Sequence, residues 1–428
     1  MIIGDKFILP CYIILFFFTF IDLVIPIHPA FMTVIFTAIL VFIGSLLSSK
    51  IFTEIPKEEI QSMKQKDALL FPVYGSIVLF GLFVIINYIN KDYVNILFRF
   101  YFTFLGACSI GSLINEKICD KKEFKKYTTD VLFTIPEITF INEKKIDVNK
   151  LDIMTFCLGM IVGLLYFFFE NWYLNNILGI AFCVFGIENL LLGKYQIGLI
   201  LLVLLFFYDI FWVFFTPVMV TVAKNIKGPI KLMFPKKLNP VENKDFNMIG
   251  LGDIVIPGVY VALMLRIDIY LYKKLNNNVC SGINFFSKHL KYFFATFIGY
   301  VVGIICTLIV MYVFNHAQPA LLYLVPGTLI PSTLTAVLSG EFKQLWDYDE
   351  EKIQKDEMEK LSKKDDKKDD KKDDKKDDKK DNKKDNKKDI KKDNKKDNEK
   401  EKKDDDEKAR VSPEEDDDEK ERVKEKND

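Results

Sequence analysis

The sequence is short of the side chains on which most hydrolytic and metal chemistry depends. It has three histidines, His28, His289 and His316, and no H-E-x-x-H pair, so a zinc protease buried in a bilayer would lack its ligands. No G-x-S-x-G occurs, which leaves a rhomboid-type serine site without a nucleophile motif. The cysteines number seven, an odd count, and no C-x-x-C is present. Cys11, Cys108, Cys157, Cys183 and Cys306 fall inside apolar stretches and read as small buried hydrophobes, which excludes a disulfide frame or metal centre built from them.

Net charge is also missing, but only because two unlike regions cancel. Residues 341–428 hold 31 Lys or Arg against 36 Asp or Glu, whereas the first 340 hold 27 against 22. A polar tail follows a very apolar body, and a single soluble globule is ruled out. The body contains most of the 39 Phe, and its apolar runs, such as 197–215 and 292–314, are long enough to cross hydrocarbon as helices. The expected fold class is an all-α polytopic membrane protein.

Ten runs qualify as spans, at 7–27, 30–48, 70–89, 94–115, 151–170, 177–193, 197–215, 249–266, 292–314 and 319–338. The first is separated from the second by Pro26 and Pro29; signal sequence, uncleaved anchor and half of a hairpin are all open for it. Three regions follow: a hydrophobic segment at 1–29, a membrane domain at 30–340 and a charged tail at 341–428. From Lys363 the tail repeats Lys-Lys-Asp-Asp and Lys-Lys-Asp-Asn, which leaves almost nothing apolar to offset its ordering entropy, so it is expected to be disordered. Loops at 49–69, 116–150, 194–196 and 267–291, with the bordering Arg266, carry 18 Lys or Arg; the alternate loops at 90–93, 171–176, 216–248 and 315–318 carry 7. The tail leaves on the richer side, which the positive-inside rule makes cytosolic, although the lysines of 216–248 run against that assignment. Lys424 and Lys426, fifth and third from the end, have the spacing of an endoplasmic reticulum retrieval signal.

Ionisable groups inside the spans are the informative exceptions, since a charge at a helix centre costs roughly 2.5–3.5 kcal/mol on the lenient insertion scale. Asp209 lies deep in 197–215 with no cation near it in sequence, and Asp253 follows Gly250, Leu251 and Gly252 before an apolar run. Glu170, Arg266 and Asp268 lie at span ends, where snorkelling explains them, and Glu188 reads as structural. A lone intramembrane aspartate is compatible with a proton relay, an ion site, an interhelical hydrogen bond or catalysis. Two that face each other share a proton, because like-charge repulsion stops both ionising. One then serves as base toward water and the other as acid toward the carbonyl oxygen that the water attacks. Gly250 and Gly252 keep side chains away from Asp253 and permit close backbone approach. Pro319, after Gln318, suits a first helical turn.

Tyr208-Asp209, Gly250-Leu251-Gly252-Asp253 and Pro319-Ala320-Leu321, in that order on three spans, resemble the YD, GxGD and PAL motifs of the presenilin and signal peptide peptidase family of intramembrane aspartyl proteases. Within it, the stretches 208–214, 218–224, 229–232, 250–258 and 316–326 are most similar to the signal peptide peptidase branch, and the likeness runs from about Phe31 to Tyr348. The resemblance implies a nine-helix transmembrane bundle with a lumenal amino terminus and a cytosolic carboxyl terminus. It implies that Asp209 and Asp253 are catalytic. It further implies that Tyr208, Gly250, Leu251, Gly252, Gln318, Pro319, Ala320 and Leu321 shape the site or hold substrate. No cofactor is implied. The implied partners are membrane-embedded helical peptides, such as remnant signal peptides and type II membrane proteins, in the lipid of the endoplasmic reticulum; no nucleic acid is expected, and a homo-oligomer is compatible. The alternative from another class is a proton-coupled transporter or ion pathway using the same carboxylates, which gives no reason for the Gly and Pro motifs. A third reading, a scaffold acting through its tail, requires that deleting residues after Lys352 destroy function.

Overall fold

The computed structural model of the protein describes residues 5–25, 27–53, 62–118, 131–135, 146–237, 246–275, 289–314 and 318–359. The chain forms two units, 1–355 and 356–428; of the second only 356–359 are described, and they are helical. The Lys-Asp repeat and the final lysines lie outside the described residues.

The first unit runs α1 (Asp5–Val24), α2 (Pro29–Thr53), α3 (Gln65–Tyr88), α4 (Lys91–Ile118), β1 (Val131–Ile135), β2 (Ile146–Asn149), α5 (Lys150–Phe169), α6 (Trp172–Asn189) and α7 (Tyr195–Phe214). It continues through α8 (Val218–Asn225), β3 (Lys231–Pro235), β4 (Phe246–Gly250), α9 (Leu251–Leu275), α10 (Lys291–Phe314), α11 (Leu321–Leu338) and α12 (Phe342–Trp346). Among the described residues, eight helices are long and apolar enough to cross a membrane: α2, α3, α4, α5, α7, α9, α10 and α11. The protein is a polytopic all-α membrane protein. Of the other two expected runs, the first is the apolar helix α1, and in α6 Asn175 and Asn176 near the start and Glu188 and Asn189 at the end dilute an otherwise apolar helix.

α9 and α3 mark the extremes of the bundle. The apolar window of α9 is 78% buried and that of α3 only 6%. A helix apolar all round and enclosed by others is a core element, whereas one apolar and uncovered faces lipid. α9 packs against α2, α6, α7, α10 and α11, so the helix that carries Asp253 in its first turn is the core helix of the first unit. α10 and α11 cross backbone on backbone: a Cβ on Gly299 would run into the carbonyl of Gly327, so only glycine allows this approach.

Several sequence expectations change at this level. Arg266 and Asp268 do not snorkel; they are 0% and 1% exposed. Arg266 Nε donates to Glu350 Oε1 at 2.6 Å and its Nη1 to Ser48 Oγ at 2.5 Å. Asp268 accepts the backbone N–H groups of Tyr292 and Phe293 at 3.3 and 2.8 Å, satisfying donors that the start of α10 leaves without helical partners. Among the cysteines, Cys183 is buried, but Cys108, Cys157 and Cys306 lie on exposed helix faces, where a thiol is as compatible with lipid as with a core. Residues 341–355, grouped with the tail by composition, belong to the first unit, with Leu345, Tyr348 and Glu350 buried. Two antiparallel hairpins, β1–β2 and β3–β4, occur within segments read as loops.

Candidate active site

Three chain segments build the site. α7 carries Asp209 into the interior, 3% exposed and fifteen residues into a helix with no cation of its own. The β3–β4 hairpin delivers the chain straight into α9, whose first turn holds Asp253. The stretch Gln318–Leu321 starts α11.

The start of α11 and the aspartate of α7 complete one another. Helix N-termini leave backbone N–H groups without partners, usually met by a Ser, Thr, Asp or Asn cap. Here the cap residue is Ala320, which has no polar side chain, and Pro319 has no N–H to satisfy. The Leu321 N–H donates instead to Asp209 Oδ2 at 2.9 Å, wholly buried. A carboxylate from one helix therefore caps another, and the positive end of α11 offsets part of the cost of burying its charge. The Leu321 side chain itself is 5% exposed and turned into the core.

Asp253 is half-buried and close enough to Asp209 for the charge of one to act on the other. Its carboxyl folds back over the helix start: a Cβ on Gly250 would lie 3.3 Å from Asp253 Oδ2. Gly252 differs. It is exposed, and a Cβ there would meet nothing within 4 Å. Gly250 thus makes room for the carboxyl, while Gly252 opens the approach to it. Leu251 is an anchor, 9% exposed, its N–H bonded to Ile230 O at 2.9 Å and its side chain beside Gly179 of α6.

Not every residue singled out converges on this point. The Tyr208 ring stacks at a tilt on Trp212, with centroids 6.3 Å apart, and its hydroxyl lies beside Gly75 of α3. It wedges α7 against α3. Gln318 is half-buried ahead of the PAL stretch. Among the described residues no three His, Cys, Asp or Glu side chains group as a metal-ligand set.

The hairpin was not foreseen, and two asparagines hold it. Asn176 Nδ2 donates to Met233 O at 2.7 Å and its Oδ1 accepts the Met233 N–H at 2.8 Å; Asn175 Nδ2 donates to Lys231 O at 2.8 Å. The main-chain groups of Met233 therefore point away from β4. By alternation Leu232 and Phe234 face β4, opposite Ile249 and Asn247. On β4 the main-chain groups of Phe246, Met248 and Gly250 then lie along the outer edge, which runs into the helix bearing Asp253. Lys227 and Lys231, two of the lysines that counted against the orientation assignment, have local partners. Lys227 pairs with Glu170 at 3.6 Å, and Lys231 Nζ donates to Ala223 O at 2.9 Å, with burial lowering its pKa.

Comparison with known proteins gives this geometry its context. A family profile described as "Signal peptide peptidase" matches residues 55–352. The chain is similar to signal peptide peptidase of Homo sapiens, 37% identical over 297 residues, covering 68% of this chain and 74% of that one. It is equally similar to signal peptide peptidase of Mus musculus, with the same identity and coverage. A probable intramembrane protease of Schizosaccharomyces pombe is 34% identical over 321 residues, 75% of this chain and 94% of the relative. These relatives are proteases and lend no support to the transporter reading. By the extent of these matches, the chain belongs to the signal peptide peptidase family of intramembrane aspartic endopeptidases.

Proposed function

We propose that Asp209 and Asp253 are the catalytic pair of this endopeptidase and that the start of α11 holds the first of them in place. The observation that carries the reading is the buried hydrogen bond from the Leu321 N–H to Asp209, with Asp253 within reach of the same charge. A donor aimed at Asp209 favours its ionised form, so Asp209 holds the charge and Asp253 the shared proton. Asp253 stands in the first turn of α9, where a developing anion is also favoured, so it can release that proton without leaving an unsupported charge.

Hydrolysis then follows from the pair. Asp209 takes a proton from a water, the water oxygen bonds to the scissile carbonyl carbon, and Asp253 gives its proton to the carbonyl oxygen. Collapse of the tetrahedral intermediate breaks the C–N bond, with a proton passing to the leaving nitrogen. No covalent enzyme intermediate forms.

A helical substrate hides its amides, and opening a turn in hydrocarbon exposes groups that cost several kcal/mol each. Gly252 and the outer edge of β4 are suited to meet that demand: the edge offers replacement partners for an unwound segment, in the manner of strand addition, beside the open approach to Asp253. The substrates are membrane-embedded helices, and within that class remnant signal peptides and type II segments fit the resemblance. The multi-pass body sits in the endoplasmic reticulum membrane with the charged tail in the cytosol and functions without a cofactor; 30–340 is its protease domain, preceded by the apolar segment 1–29. Tyr208 and Gln318 shape the surroundings of the pair.

The test is cleavage of a type II signal-peptide reporter by the purified protein in liposomes. Asp209→Ala and Asp253→Ala should each abolish cleavage while the protein stays inserted. Substantial remaining proteolysis by either variant removes it from the mechanism.

A further inference from the structure

The catalytic pair accounts for one end of three helices; the other end of the same three is tied together by a segment with no role in the chemistry. α7 begins at Tyr195, fourteen residues before Asp209, and Arg266 lies thirteen residues after Asp253 on α9. At 1.5 Å per residue both points are roughly 20 Å from the carboxyls. α11 ends at Leu338 and leads directly into the segment Glu341–Glu350.

That segment continues from α11, with the Glu341 N–H bonded to Ala336 O at 3.0 Å, and bonds to α9, to the start of α7 and to α10. On α9, Arg266 meets Glu350 at 2.6 Å, their side chains 0% and 3% exposed, and Arg266 also reaches Ser48 of α2. At the start of α7 the Glu350 N–H donates to Gly193 O at 2.9 Å, Lys194 pairs with Asp349 at 2.7 Å, and Gln196 Nε2 donates to Trp346 O at 3.1 Å. On α10, Tyr292 Oη donates to Glu341 at 3.0 Å and Lys291 pairs with it at 2.8 Å. Tyr348 Oη adds a second donor to Glu350 Oε1 at 3.1 Å.

A buried ion pair is a poor way to gain stability, because removing both charges from water costs about as much as their attraction returns, and apolar replacements often do as well. Arg266 Nη2 has no partner among the described residues, a further cost. What a buried pair does supply is one fixed register. We propose that Glu341–Glu350 is a clasp setting the relative positions of α7, α9 and α11, with Arg266 and Glu350 as positioning residues for hydrolysis. The proposal rests on Asp209 and Asp253 being the catalytic pair. Misplacing reacting groups by about 1 Å costs on the order of a hundredfold in rate, so a clasp acting through rigid helices has ample leverage.

The experiment uses the full chain in liposomes and compares wild type, Glu350→Gln, the apolar double variant Arg266→Met with Glu350→Leu, and Asp209→Ala. Reporter kcat and KM, affinity for a peptidic hydroxyl-bearing transition-state mimic, and the thermal midpoint are measured. For the apolar double variant we expect a midpoint near wild type, kcat lowered about tenfold or more, KM within about twofold, and mimic affinity weakened in step with kcat. Glu350→Gln should shift kcat and mimic affinity in the same direction. A folded double variant with wild-type kcat and mimic affinity, or one whose loss lies in KM, overturns the clasp. Should the double variant fail to fold, Lys194→Ala with Asp349→Ala, at the more exposed edge, decides: a lowered kcat with unchanged KM supports the clasp, and an unchanged kcat overturns it. Cleavage by Asp209→Ala would instead remove the catalytic reading beneath it, so the two failures are distinguishable.

Discussion

The two ends of α9 are built on opposite plans. At Arg266 the helix is closed in, with charge matched to charge, a hydroxyl bonded to each member of the pair and Arg266 Nη2 alone left without a partner among the described residues. At Asp253 the carboxyl is half-buried, the adjacent Gly252 faces open space, and the neighbouring ionisable group is a second acid, Asp209, in place of a counter-charge. On the proposed function, an enzyme that must admit water and an unwound chain leaves this end incompletely filled, and the rest of the helix has to hold it still. Polar groups in a membrane interior are costly wherever they are placed; here one set is largely paired within itself and the other, on the proposed function, is completed by a reactant.

The largest contrast expected is between two glycines two residues apart. Gly250→Ala puts a methyl 3.3 Å from the Asp253 carboxylate and should lower kcat by roughly ten- to a hundredfold. Gly252→Ala meets no neighbour, so its thermal midpoint should stay at the wild-type value and its effect should fall on KM through the approaching substrate. Steady-state kinetics on both variants checks this, and equal kcat losses would erase the distinction between carboxyl room and substrate room. A smaller effect is expected on the hairpin that feeds α9. Asn176→Ala leaves the Met233 N–H and C=O without the partners that hold β3 and should cost about 1–3 kcal/mol of stability. Faster amide exchange at Met233 with kcat lowered less than in Gly250→Ala would confirm that the hairpin supports the site from outside it.

The smallest effect belongs to the closed end. At Glu341 burial pushes the carboxyl pKa up, but hydrogen bonds from Lys291 and Tyr292 and the Lys291 charge outweigh it and hold the pKa below the usual glutamate range. A carboxyl with a depressed folded pKa contributes stability above its unfolded pKa and loses it as pH falls through the folded one. Glu341→Gln should therefore melt slightly below wild type at neutral pH, and the two curves should converge in acid. Since the pair is a third exposed, added salt should narrow the neutral-pH gap.

Much of this was legible in the sequence where a single residue violated its surroundings. Asp209 and Asp253 stand out because an acid in an apolar run has no cheap explanation, and Pro319 because it marks a helix start. Asn175 and Asn176 carry no charge and so lack the insertion cost that marks the aspartates, although an Asn pair in an apolar helix is the same kind of anomaly. Arg266 and Asp268 resemble snorkelling span ends for a different reason. Their partners, Glu350 and the backbone at Tyr292 and Phe293, lie 84, 24 and 25 residues away, and no local pattern announces them. The start of the tail was hidden by composition: Glu341, Asp347, Asp349 and Glu350 resemble the charges that follow, while Leu345 and Tyr348 between them are buried.

The asparagines bond one edge of the β3–β4 hairpin, and on the proposed function the other edge serves the substrate chain. Amides and carbonyls are alike in every residue but proline, so a docking rail made of them reads how readily a segment uncoils and is nearly blind to which side chains it bears. Such a protease would be choosy about shape and indifferent to spelling, a useful trait toward membrane-embedded helices that share a common form and no common sequence.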